Sequence, residues 1–456
     1  MIKILIFTLI CKFVWGQEIP QDFIEYEIQN LTFDQGNNWP NNTIFGPPRN
    51  LGQNYHGDAL RVNGRFGGIV FNSHKAVYGY GHFSYKKYFR GYLYPRVVDN
   101  PKLFSRFSGL EMDIDRFGFT SGETDLSGIS FENDWIILQL GRGRESWGAG
   151  NNSKLAISEK SNPYDYGMID LDFGHLRVRY FHGYLETDSV SINRYITGKG
   201  IEWNNHKNFL FGISEIVIYS GFNRPVDFSY FNPISTHLEI ELNGRQNKLG
   251  TDSGNGVWQL SFDRMFLKNW RLSFNYLIDE FIMDKEQKDS GKKSSTAFSL
   301  KNVYTPQLDL NSIISIYFLY TYVGKNTFSH EDGNNNFVHR GKPLGLEIGN
   351  DTRNIKVGFV VFEENKLLTK LSSGFMKKGH NNFIENPYKP YSDFNFGISQ
   401  DENIERITYL NLKIQSWPRE NISIMGIYNF SDSNILGRFS ELSIGIDFFY
   451  NITGDL

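Results

Sequence analysis

The stretch NWRLSFNYLIDEF, residues 269–281, sets Trp270, Leu272, Phe274, Tyr276 and Ile278 on one parity. Arg271, Ser273, Asn275 and Asp279 fall on the other, with Leu277 the single exception. Successive side chains of a strand point to opposite faces, so this period of two predicts a strand with one apolar and one polar face. Whether the apolar face meets a protein core or lipid decides the fold.

The pattern recurs. In NSIISIYFLYTY (311–322), Ile314, Ile316, Phe318, Tyr320 and Tyr322 alternate with Ser315, Tyr317, Leu319 and Thr321. LRVRY (176–180) sets Leu176, Val178 and Tyr180 against Arg177 and Arg179, and ELSIGIDFFY (441–450) sets Leu442, Ile444, Ile446, Phe448 and Tyr450 against Glu441, Ser443, Gly445 and Asp447. HLEIELNG (237–244) reads the same way, with Leu238, Ile240 and Leu242 against Glu239 and Glu241. A soluble sandwich accounts for any one such strand. The combination with an export signal, no cysteine beyond it, aromatics clustered at strand ends and a final alternating strand ending in Phe448–Tyr450 points instead to an all-β chain in a membrane.

MIKILIFTLICKFVWG, residues 1–16, carries Lys3 and then the apolar run Ile4–Ile10, too short to span a bilayer, with a cleavage position after Gly16. It reads as a secretory signal peptide. The one cysteine, Cys11, lies inside it, so the exported chain has no disulfide and needs a large core or a closed sheet for stability. Loss of Lys3 and Lys12 takes the formal charge from −3 to about −5, which argues against nucleic acid as a partner.

Residues 17–60 are turn-rich; DFIEYEIQNL (22–31) has near-helical apolar spacing and predicts a short helix and loop at the periplasmic mouth or in the lumen, or a leader. Residues 61–456 read as one large antiparallel transmembrane β-barrel. At about ten residues per strand and roughly a dozen per connection, the length accommodates about 16–20 strands, an even number. The polar runs 284–296 and 329–342 are expected as external loops.

No GxSxG elbow, HExxH pair or phosphate loop is present, and neither a metal nor a cofactor is implied. A binding role is easier to argue. Arg142, Arg144, Arg177, Arg179 and Arg271 are expected at the lumen or its rim, where guanidinium forks suit an acidic polymer, and Trp147, Tyr195 and Trp203 offer faces for sugars. The competing expectation is that these charges pair with one another as a polar plug. Glu215 shares parity with Phe209, Phe211, Ile213, Val217 and Tyr219, so it faces lipid unless a bulge near Gly212 flips the register or the face packs on material inside the barrel.

Three segments, GRGRESWGAG (141–150), GISEIVIYSG (212–221) followed by FNP (231–233), and HRGKPLGLEIGND (339–351), together resemble the capsule assembly protein Wzi family of outer-membrane proteins. The resemblance implies an 18-stranded barrel in the Gram-negative outer membrane that anchors exported capsular polysaccharide without catalysis, with the export machinery as a further partner. It points to Arg142, Trp147, Gly148 and Gly150, to Ser214 and Glu215, and to Gly341, Leu344, Gly345 and Asp351 as family positions. Two departures stand out: residues 17–60 are short for the family's helical bundle, and NITGDL (451–456) follows the last apolar run. A porin for small anionic or polar solutes is the alternative.

Overall fold

Alternation of apolar and polar side chains leaves each strand with one face to bury, and a closed sheet in lipid satisfies every backbone group without an edge. A computed structural model describes residues 42–45, 60–86, 88–104, 107–113, 116–247, 254–280, 289, 295–306, 312–363, 366–380, 382–391 and 404–455. The wall consists of β1 (Leu60–Phe71), β2 (His74–Tyr85), β3 (Phe89–Val98), β4 (Ser121–Glu132), β5 (Ile136–Gly143), β6 (Tyr164–Asp172), β7 (Leu176–Thr187), β8 (Ile192–Asn204) and β9 (Phe209–Phe222). It continues through β10 (Gly254–Phe266), β11 (Trp270–Glu280), β12 (Ser295–Tyr304), β13 (Ser312–Val323), β16 (Thr352–Glu363), β17 (Leu367–Lys378), β18 (Glu405–Arg419), β19 (Ile422–Ser433) and β20 (Gly437–Asp455). A small hairpin, β14 (Val338–His339) with β15 (Lys342–Pro343), lies between β13 and β16.

These 18 long strands form one antiparallel sheet, and β1 pairs with β20 from Arg61↔Asp455 to Phe71↔Gly445, which closes the barrel. The segment Asn451–Asp455 is therefore the end of the last strand and part of the closing seam, not a tail beyond it. Both ends of the sheet meet at one rim, called here the near rim. Its connections are short, such as 173–175 and 267–269, whereas the far rim carries long ones at 144–163, 223–253 and 324–351.

The opening stretch becomes β11. Arg271, Ser273 and Asn275 point inward and are buried, and Trp270 faces out. Leu277, the exception to the alternation, also points inward and is fully buried in a cluster with Ala297, Val323 and Phe337. The interior at that height is a packed core, so an apolar residue belongs there.

Two readings change. HLEIELNG forms the helix α1 (His237–Leu242), capped by Thr236, whose hydroxyl accepts from the Glu239 amide at 3.2 Å. Residues 329–342 fold back toward the barrel: Asn335, Asn336, Val338 and His339 are buried, while Glu331, Arg340 and Lys342 are exposed. The stretch 284–296 lies outside the described residues apart from Asp289, Ser295 and Thr296, as do the signal segment and the helix expected at 22–31.

Candidate functional site

Past β5 the chain turns into the barrel, and Asn275 of β11 holds it there: its Oδ1 accepts from the Ala149 amide at 2.7 Å and its Nδ2 donates to the Ala149 carbonyl at 2.9 Å. Gly148 and Gly150 flank that clamp at φ +133° and +73°, a backbone region that side chains disfavour. A Cβ at Gly150 would lie 2.7 Å from the Ser273 Cβ. Trp147 is fully buried edge-on between Phe45 and Phe181, at centroid distances of 4.9 and 5.1 Å, and its indole N–H donates to Glu145 at 2.8 Å.

The charges around this loop are paired internally. Arg144 donates to Asp125 at 2.6 Å and to the Ser161 carbonyl at 2.8 Å; Asp125 stands at an irregularity in the β3–β4 register that turns both it and Leu126 inward. Arg179 donates to Asp170 at 2.8 Å, to Glu145 at 3.0 Å and to the Phe45 carbonyl at 2.8 Å. Arg177 shares Asp170 at 2.8 Å, and Arg271 donates to Asp263 at 3.0 Å. Burial alone would raise the pKa of Glu159, but the Lys154 ammonium and the Ser146 hydroxyl hold it below the usual carboxylate range.

The second inward loop seals against the first. Leu344 is fully buried, donates its amide to Phe337 at 3.0 Å and accepts from Ser158 at 2.9 Å. Gly345 lies so close to the Leu155 carbonyl that a Cβ there would overlap it. Gly341 (φ +74°) completes the exposed turn, and Asp351 (φ +51°) bonds through its backbone to Gly324 and Gly379 at 3.1 and 2.8 Å.

The structure thus brings Arg144, Trp147, Arg179 and Arg271 together in a buried interior rather than along an open lining. Arg142 points outward near the far rim, with Asp165 at 3.3 Å. Trp203 faces lipid, and Tyr195 is buried against the outer wall. Ser214 points inward, and its hydroxyl has no hydrogen-bond partner among the described residues. Glu215 does face outward, yet the β8–β9 and β9–β10 registers run without a shift. Neither a bulge nor inner packing resolves it; the β9–β10 connection covers it from outside, where the His237 amide donates to it at 3.0 Å and Lys199 pairs with it at 3.0 Å.

At the far rim, residues that the sequence reading did not single out form an exposed group. Glu186 accepts from Tyr388 at 2.8 Å and from the Arg340 amide at 3.2 Å, and it also pairs with Arg194, which is buried beneath. The Tyr388 ring lies over the Arg194 guanidinium at 5.1 Å and is itself exposed. Arg340 and Lys342 are exposed, tethered to the Ser108 and Phe107 carbonyls at 3.1 and 3.2 Å. These residues come from the ends of β7 and β8 and from the β13–β16 and β17–β18 connections, so no local motif announces them.

His339, beneath the rim, is 1% exposed; its Nε2 donates to the Pro163 carbonyl at 3.1 Å. Burial lowers its pKa from 6.5 to about 4, against the opposing pull of Glu186. Between those values the unfolded state binds the extra proton, so the contribution of neutral His339 is complete above about pH 6.5 and is lost as pH falls towards about 4. The thermal midpoint of the His339→Gln variant is expected to fall less over that window than the wild type's, and parallel melting curves at stepped pH check this.

No known family profile and no curated protein sequence matches the chain. Among solved structures it is similar to Wzi of Escherichia coli, described as an outer-membrane carbohydrate-binding β-barrel involved in group 1 capsule assembly. The TM-score is 0.59 at 11% identity, covering 86% of this chain and 84% of that one. The fold is that of an outer-membrane β-barrel. At such identity the likeness to Wzi is one of fold. The chain also aligns with OprD and OpdK of Pseudomonas aeruginosa at TM-scores of 0.45 and 0.48, with 10% and 7% identity, over 87% and 86% of this chain and 96% and 99% of theirs. Barrels of this type keep short turns in the periplasm and long loops outside, an asymmetry that the near and far rims share.

Proposed function

We propose that the protein holds exported, acidic surface polysaccharide at the cell surface, as a non-enzymatic barrel in the outer membrane of a Gram-negative bacterium, exported by cleavage of residues 1–16. The supporting observation is that two extracellular loops fold inward, the first locked by the buried pairs of Arg144 with Asp125 and Glu145 with Arg179, the second sealed on it by backbone hydrogen bonds at Leu344 and Leu346. This turns the far rim into a fixed surface bearing Arg340, Lys342 and Tyr388. Cationic groups there suit carboxylates or phosphates of a glycan, and the exposed ring suits a sugar face. The export machinery is the further partner in this reading.

The test compares polymer kept on washed cells with polymer shed into the medium. Arg340→Ala with Lys342→Ala removes two charged contacts worth about 1.5–3 kcal/mol each at most, so binding is expected to weaken by roughly tenfold or more and polymer to move into the medium at constant synthesis. Normal retention with a folded barrel would exclude this surface.

A channel for small anions is the second reading. It is supported by Lys301, Lys356, Lys370 and Lys413, which the registers place on the inner face of β12, β16, β17 and β18. Anion-selective conductance of the purified barrel in planar bilayers, together with unchanged polymer retention in the deletion strain, would favour it.

A further inference from the structure

The β9–β10 connection leaves the extracellular end of β9, yet it folds down the outside of the barrel. Its 3-10 helix Phe228–Phe231 and helix α1 lie against the outward faces of β7, β8, β9 and β10. Tyr195, Tyr219 and Tyr230 stack in a column with centroid spacings of 5.0 and 4.7 Å, and Phe231 stacks on His182 at 4.6 Å. The Tyr180 hydroxyl donates to the Tyr230 carbonyl at 3.0 Å. Gly256 leaves room for the imidazole: a Cβ there would approach His237 to 2.5 Å. Lys199 donates to the Ser235 carbonyl and pairs with Glu215, so these two outward charges of β8 and β9 are sealed under the flap.

Below the flap, only Phe209, Phe211 and Ile213 of β9, and Ile201 and Trp203 of β8, face outward uncovered. A tilted strand needs about 9–11 residues to cross the hydrocarbon. The uncovered stretch is about half of that, so the flap occupies the depth where the rest of the lipid-facing belt should be. Its own outer surface is apolar: Phe228, Ile234 and Leu242 are 82%, 86% and 73% exposed, with Phe231 and Leu238 beside them. Glu239 and Arg245, paired at 2.6 Å, together with the exposed Glu241, 3.7 Å from the His237 imidazole, form its polar side. An amphipathic segment with these two sides lies in a membrane interface.

We infer that this flap is an intramembrane element of the barrel and that its apolar outer surface contacts the acyl chains of the outer leaflet, continuing the belt of β8 and β9. The flap replaces lipid over Glu215 and Lys199, which removes the cost of presenting a charge to hydrocarbon.

The test uses the full chain in a Cys11→Ser background. Ile234→Cys and, separately, Leu242→Cys carry a fluorophore, and the barrel is reconstituted in phosphatidylcholine vesicles. Both side chains are exposed, so neither substitution disturbs a core, and circular dichroism confirms the fold. Nitroxide on the acyl chains is expected to cause the same loss of emission as for a Phe211→Cys control, while aqueous iodide causes none. Quenching by iodide to the level of an Arg340→Cys control, with no acyl-chain quenching, overturns the inference. So does formation of Ile234→Cys disulfide dimers at high lipid dilution, which would assign the surface to a second copy of the chain.

Discussion

Replacing Arg179 with alanine is expected to cost about 3–5 kcal/mol of stability, because it withdraws the guanidinium from two buried carboxylates. Asp170 and Glu145 are 1% and 0% exposed, and Arg179 also donates to the Phe45 carbonyl at 2.8 Å. Arg177 keeps Asp170 partly compensated, but Glu145 retains only the Trp147 indole among its contacts described above. The urea midpoint of intrinsic fluorescence in detergent reads the loss, and faster proteolysis of the chain before β1 reads release of residues 42–45. Combining Arg179→Met with Glu145→Gln removes one charge of each sign, leaves Asp170 paired with Arg177 and should recover much of the stability. Arg142→Ala is the contrast: its partner Asp165 is 63% exposed, and the expected change is about 0–1 kcal/mol. An equal effect at both positions would mean that the interior around Arg179 is wet.

Much of the wall was legible because lipid enforces the period of two: β11, β13 and β20 place their outward sets as the alternation predicts. The closure at 18 strands was reached through the family resemblance, since the number of strands depends on where connections turn and not on any one strand's pattern. HLEIELNG shows how alternation misleads over a short span. Leu238, Ile240 and Leu242 satisfy a period of two, but Thr236 and Glu239 stand at the spacing of a helix N-terminus, and that signal was available.

Polarity misled in another way at 329–342. Polar runs usually lie in water, but this barrel has a polar inner face, and Asn335 finds its partners on it, accepting from the Ser220 hydroxyl at 2.8 Å and, through its carbonyl, from the Asn255 amide at 3.1 Å. Parity identified Arg179 and Arg271 as inward. Whether an inward arginine meets a ligand or a carboxylate depends on residues far away, such as Phe45, which contacts Arg179 across 134 positions of sequence. Glu215 is the instructive case: the conflict at its position was legible, while its resolution by a flap 22 residues downstream was not.

Trp147→Ala should act on both stability and permeability. The side chain is fully buried, and its removal leaves a cavity among Phe45, Phe181 and Leu155 at an expected cost of about 3–5 kcal/mol. It also removes the indole N–H from Glu145, which leaves that carboxylate dependent on Arg179 alone among the two. Because this residue ties the inward loop both to residues 44–45 and to the wall, the loop is expected to detach before the barrel unfolds. Conductance in planar bilayers should then rise above the wild type's, with new protease cleavage near Lys154, a buried position in the intact protein. Trp147→Phe keeps most of the ring contacts and is expected to stay close to wild type in conductance. Trp203→Ala, on the lipid face, opens no interior cavity and should leave the lumen unchanged. If Trp147→Ala conducts no better than Trp203→Ala, the loops do not obstruct passage, and the far rim is not held as a fixed binding surface by a closed interior.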